Sequence, residues 1–158
     1  MKNQRRVAMD RRSVLKIAGA VSAATATMLA VPRMAFAAYS DAIFKQKVGA
    51  DALQNAYGAN ATTPSDQVKL KAPDIAENGA VVPVTVETDM DAESIAILIT
   101  ENPNPMAITA DIPAGTKAML KTRCRMGKTT QVTAVVKSGG KLYTASKEVK
   151  VTIGGCGG

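Results

Sequence analysis

From Val68 onward, apolar residues recur at every second position. Val82, Val84 and Val86 share one face of an extended segment, and so do Ile95, Ile97 and Ile99. Met106, Ile108 and Ile112 form a third such set. Ala118, Leu120, Thr122 and Cys124 fall on one side of the next run, opposite Lys117, Lys121, Arg123 and Arg125. Val132, Ala134 and Val136 follow, and Tyr143, Ala145, Val149, Val151 and Ile153 complete the series. A period of two belongs to strands with one face buried. Turn-forming residues punctuate the runs: Glu77-Asn78-Gly79, Asn102-Pro103-Asn104-Pro105, Pro113-Ala114-Gly115 and Ser138-Gly139-Gly140. About seven short strands at regular spacing predict a mainly β fold, an antiparallel β-sandwich of immunoglobulin-like type over 67–153. No long helical pattern lies between the strands, which argues against a parallel α/β sheet.

Ahead of the strands the period changes. Ile43, Phe44, Val48, Ala52, Leu53 and Ala56 recur at near-helical spacing between Ala38 and Tyr57. Ser40 or Asp41 is placed to cap the start, and Gly49 to divide the segment into two short helices. Asn60 to Asp66 has the composition of a loop, so 38–66 reads as a helical segment and linker.

The first 37 residues have a different character. Arg11 and Arg12 precede Val14, Leu15 and Lys16; a moderately apolar run extends from Ile17 to Val31; Ala35-Phe36-Ala37 then offers small residues at both positions a signal peptidase reads. This is the layout of an export signal, and the paired arginines are similar to those of the twin-arginine (Tat) class. The apolar run is near the lower length limit for a membrane span and is rich in small and hydroxyl residues. Cleavage after Ala37 is therefore expected, leaving a periplasmic chain with no membrane anchor. Cargo of that pathway crosses the membrane already folded, which allows a folded partner to travel with it.

Charge changes meaning once the signal is set apart. The formal charge of +7 comes from 20 bases and 13 acids, of which residues 1–37 hold seven bases and one acid. The remainder is nearly balanced, and its net charge gives no reason to expect nucleic acid as a partner. The chain has no His, no Trp and two cysteines, Cys124 and Cys156. A His-based triad, a His-ligated metal centre and a disulfide framework are thereby excluded. Asp89, Asp91 and Glu93 read as a solvated turn, because their spacing does not complete a calcium loop. No cofactor motif, metal site or catalytic constellation is found.

The remaining chemistry lies at the C-terminus. Beyond Ile153 the sequence reads Gly154-Gly155-Cys156-Gly157-Gly158. Glycine has the greatest backbone freedom of any residue, so two on each side predict a flexible arm with a sterically bare thiol. At about 3.3–3.6 Å per residue, Cys156 can lie roughly 10 Å beyond Ile153, far enough to enter a narrow pocket in another protein. A catalytic cysteine needs a base, a cation or a helix N-terminus beside it. The nearest fixed charge is instead the carboxylate of Gly158, which disfavours the thiolate. Cys156 is thus expected to be a handle loaded by other enzymes. Cys124 falls on the inward face of its strand, where a free cysteine packs as a small hydrophobe. A disulfide between Cys124 and Cys156 is the competing reading of the two thiols.

The run from Leu70 to Val84, LKAPDIAENGAVVPV, resembles the SoxY family of sulfur-oxidation carriers. So do Glu101 to Pro105, Thr122-Arg123, Arg125-Met126 and the closing SKEVKVTIGGCGG. The resemblance implies a pairing with SoxZ, a smaller sandwich subunit without an export signal of its own. It implies that a c-type haem enzyme joins thiosulfate oxidatively to the arm cysteine and that a hydrolase then releases the terminal sulfone as sulfate. In some members a sulfane dehydrogenase oxidises the sulfur that remains. Carried over by residue, Cys156 becomes the covalent attachment point and Gly154, Gly155, Gly157 and Gly158 the swinging arm. Cys124 stands where an aliphatic residue is expected. Three other functions compete. A ubiquitin-like sulfur carrier also ends in Gly-Gly but uses ATP and its terminal carboxylate in the cytosol. A redox enzyme would need a C-x-x-C pair or a cofactor site. An interaction or assembly module would use its sheet edges and make no use of Cys156.

Overall fold

The computed structural model describes residues 40–152. Two short helices come first, α1 (Asp41–Phe44) and α2 (Gly49–Tyr57). Nine strands follow: β1 (Thr62–Pro64), β2 (Val68–Lys71), β3 (Ile75–Ala76), β4 (Val82–Thr88), β5 (Ser94–Ile99), β6 (Met106–Asp111), β7 (Met119–Cys124), β8 (Thr130–Ser138) and β9 (Lys141–Val151). The segment forms two short helices as expected, but the break falls over Lys45–Val48 and Gly49 is the first residue of α2; Ser40 occupies the cap position of α1, although its side chain makes no capping hydrogen bond. Asp41 instead pairs with Lys45 one turn on, at 2.7 Å.

The strands form two sheets. One has three strands in the order β2-β4-β7, all antiparallel. The other has the order β1-β9-β8-β5-β6, with β3 also joined to β9. Valines and isoleucines at alternate positions meet between the sheets: Val82, Val84 and Val86 from β4, Ile95, Ile97 and Ile99 from β5, Val132, Ala134 and Val136 from β8, and Val149 from β9. Full burial of such side chains contributes about 1.5–3 kcal/mol each, so this layer is the main source of stability. The result is the expected immunoglobulin-like sandwich, with the alternation setting the register of each strand.

Three features differ from the reading of the sequence. First, the larger sheet is mixed. Thr62–Pro64 lies in the segment read as loop, yet it pairs parallel to Leu142–Thr144 of β9, and Ile75–Ala76 pairs parallel to Lys150–Val151 further along the same strand. Pro64 is tolerated because β1 is an edge strand. Second, Met106 and Ile108 do not share a face. Ile97 opposes Ile108 whereas Leu98 opposes Met106, so Ala107 is skipped. A bulge of this kind places residues two apart on opposite sides. Third, β5 is buried on both faces. Ala96 and Leu98 point away from the sandwich and join Met106, Val135 and Leu142 beneath Ala52 and Leu53 of α2, making a second core. The amphipathic helix thus covers the outer face of the larger sheet. Val48, just ahead of α2, stays 53% exposed.

Turn chemistry fits its glycines. Gly139 and Gly140 both adopt positive φ (55° and 72°), as the two-residue loop between β8 and β9 requires. Gly79 is fixed by crowding: a side chain there would strike the carbonyl oxygen of Met126.

Candidate functional site

The signal segment 1–37, Cys156 and Gly154, Gly155, Gly157 and Gly158 lie outside the described residues. What the structure does describe is the base from which the C-terminal segment departs. β9 pairs antiparallel with β8 from Lys141 to Val149. Beyond Val149 it leaves β8 and is held by other groups. Lys150 donates its N–H to the Asp74 carbonyl (2.9 Å) and Thr152 donates to Ala76 (3.1 Å). Between these, Val151 donates to the Thr129 hydroxyl oxygen at 3.1 Å. Consecutive amides are therefore anchored alternately to β3 and its approach on one side and to the 127–129 loop on the other. Between the stretches paired to β1 and β3, Lys147 closes the strand's outer edge. Its ammonium donates to the Ala72 carbonyl at 2.7 Å and pairs with Asp74 at 3.0 Å.

The turn of Asn78 and Gly79 packs under this anchor. Asn78 Oδ1 accepts the N–H of Ala80 at 2.9 Å, and the Met126 N–H donates to the Gly79 carbonyl at 2.7 Å. A Cβ on Gly79 would also lie 2.8 Å from Val151 Cγ1. Gly79 thus lets β4, the end of β7 and the end of β9 meet at one end of the sandwich. The sequence marks this as a turn; the close approach that demands glycine is visible only in three dimensions.

Of the two cysteines, Cys124 lies within the described residues. Cys124 ends β7 opposite Val82, is 7% exposed, and packs in the main core. Burial pushes its thiol pKa up, so at neutral pH it is a protonated, shielded hydrophobe. The inward placement predicted for it holds. Among the described residues, no three acidic or thiol side chains converge to hold a metal ion. Asp89 is engaged by Lys69 at 2.8 Å and Glu93 by Lys137 at 2.9 Å. These neighbours hold both carboxyls below their ordinary range, chiefly by hydrogen bonding from the lysines.

The fold and this site define a class: an immunoglobulin-like sandwich whose last strand is firmly held up to a short terminal segment carrying a second thiol. The family model for the sulfur oxidation protein SoxY matches residues 53–156, and the chain belongs to the SoxY family. It is similar to the structure of the sulfur carrier protein SoxY from Chlorobium limicola f thiosulfatophilum, with 44% identity and a TM-score of 0.60, over 65% of this chain and 94% of that one. A superoxide reductase (neelaredoxin) from Ignicoccus hospitalis, 14% identical with a TM-score of 0.51 over 58% of this chain and 94% of that one, shares the fold alone. None of the curated proteins matches.

Proposed function

We propose that this chain is a non-catalytic carrier that holds sulfur intermediates of thiosulfate oxidation covalently on Cys156. The observation that carries the reading is the burial of Cys124. Cys124 is sealed in the core and disfavoured as a thiolate, which leaves Cys156 as the chain's only other cysteine. The anchored strand end supports the same reading. Cys156 lies four positions beyond Thr152, so the thiol has a reach of up to about 13 Å from a fixed base.

The Cys156 thiol and thiosulfate form a sulfur–sulfur bond, releasing a proton and passing two electrons to a c-type haem enzyme. Water then cleaves the terminal sulfur–sulfonate bond, releasing sulfate and leaving a persulfide on Cys156. A sulfane dehydrogenase oxidises that outer sulfur where one is present, and the hydrolase acts again. The chain supplies the tether, and Gly154, Gly155, Gly157 and Gly158 supply the arm. It acts in the periplasm after twin-arginine export, together with a SoxZ-like sandwich subunit.

Replacing Cys156 by Ser tests the site. Thiosulfate-dependent sulfate formation should be lost while the circular dichroism spectrum and unfolding midpoint stay unchanged. Full activity in Cys156→Ser would favour an assembly module that does not use the thiol.

A further inference from the structure

The described chain is close to neutral, but its charge is unevenly placed. β7 is an edge strand, bonded to β4 on one side only. Along its outward face run Met119, Lys121 and Arg123, all exposed, and Arg125 continues the row past its end. Lys121, Arg123 and Arg125 have no acidic partner among the described residues. The acids on the same sheet face are already engaged, Glu87 by Lys71 at 3.1 Å and Asp89 by Lys69 at 2.8 Å. Glu101, on the loop whose Asn102 bonds the Arg125 carbonyl, is taken by Lys128. Lys117 extends the row at the other end, close enough to lower the pKa of Glu87 and Asp89. Beside the strand, Pro83, Lys121, Thr122 and Arg123 line a shallow cavity of about 370 Å³.

An unpaired strand edge offers alternating backbone donors and acceptors, which another peptide strand satisfies. A row of like charges selects which strand. A second copy of β7 would bring lysine and arginine against lysine and arginine, which repel across a strand pair. An acidic strand would be attracted and held in register. A phosphate surface has no donors for the free carbonyls of the edge. We propose that the free edge of β7 docks an extended acidic segment of a partner protein, added to the β2-β4-β7 sheet as a fourth strand. Met126, next to Arg125, and Val151 both lie against Gly79, so this edge finishes at the end of the sandwich from which the C-terminal segment leaves. Taken with the carrier reading above, on which only this identification rests, the partner is an enzyme that acts on the cargo of Cys156.

The test uses the isotopically labelled chain and an amidated heptapeptide of alternating Glu and Val. The peptide should shift the amide resonances of Met119–Cys124 and slow hydrogen exchange at alternate residues of β7. Binding should weaken as salt is raised, because the Debye length falls from about 10 Å at 0.1 M to about 3 Å at 1 M. Lys121→Glu or Arg123→Glu should weaken binding about ten-fold or more, whereas Lys141→Glu, on the exposed start of β9, should not. A Lys/Val peptide should not bind. Resonance shifts absent from β7, or shifts elsewhere on the surface, would overturn the proposal. So would tight binding to phosphatidylglycerol vesicles without a peptide footprint, which would make the row a membrane contact. The footprint is read on Cys156→Ser as well as on the unaltered chain. Loss of β7 binding and loss of sulfur loading then appear as separate results, one bearing on the docking edge and the other on the carrier.

Discussion

Gly79→Ala is a small change with a cost that follows from the structure. The added Cβ would run into the Met126 carbonyl oxygen and come within 2.8 Å of Val151 Cγ1. The valine methyl can rotate away. The carbonyl is backbone, and the 2.7 Å bond from the N–H of the same residue to the Gly79 oxygen keeps Met126 close to Gly79. Overpacking costs about 1–3 kcal/mol, and losing that bond adds about 1 kcal/mol. Reduced freedom of the unfolded chain offsets roughly 0.4–1 kcal/mol. The expected net destabilisation is about 1–3.6 kcal/mol. With a urea slope of about 1.5 kcal/mol/M, the unfolding midpoint should fall by about 0.7–2.4 M. Gly127→Ala is the control, since nothing lies within 4 Å of its Cβ position, and it should stay within about 0.5 kcal/mol of the parent. Equal midpoints for the two variants in urea titrations followed by circular dichroism would refute the packing described for the base of the arm.

Cys124→Val should keep sulfate formation and cost under about 1.5 kcal/mol, as a near-isosteric core change. In the native chain a thiol reagent should modify one cysteine rapidly and Cys124 only after unfolding; fast modification of both would contradict its burial. Acid should destabilise the fold through Asp89 and Glu93. Their folded pKa values are depressed by Lys69 and Lys137, so the folded chain binds fewer protons than the unfolded one near their titration. That stability is fully present above the unfolded values and is lost as pH falls through the folded ones, from about pH 4.5 downward. Glu93→Gln should flatten the dependence of the urea midpoint on pH in that window. Changing Arg11 and Arg12 together to Lys should leave precursor in the cytoplasm, as fractionation would show; normal delivery would remove the twin-arginine assignment.

Alternation made most of the sandwich legible. Val82, Val84 and Val86 on β4, and Ile95, Ile97 and Ile99 on β5, face the core as their period requires. The same period placed Cys124 inside. What escaped depends on contacts between distant segments. β1 and β3 are too short to show a period, and they exist because the long strand β9 offers them an edge. The bulge at Ala107 breaks the alternation, so Met106 and Ile108, which share a face by period alone, serve different cores. In β5 the residues between the isoleucines, Ala96 and Leu98, are also apolar, and that unbroken run is the signal of a strand covered on both sides. Lys121, Arg123 and Arg125 are legible as an outward set, but the near-zero net charge beyond residue 37 averages away a row that only sheet topology shows to be an unpaired edge.

The carrier claim itself is tested most directly on the tryptic peptide that begins at Val151, after the cleavage site at Lys150, and contains Cys156. Protein taken from cells oxidising thiosulfate should give this peptide in several mass forms, separated by sulfur and sulfonate units. The sulfur–sulfur bonds are open to thiol exchange, so a reductant should collapse the series to the free thiol, and prior alkylation of Cys156 should prevent it. A peptide found only as free thiol or simple disulfide, in cells actively consuming thiosulfate, would contradict the proposal that Cys156 carries the intermediates.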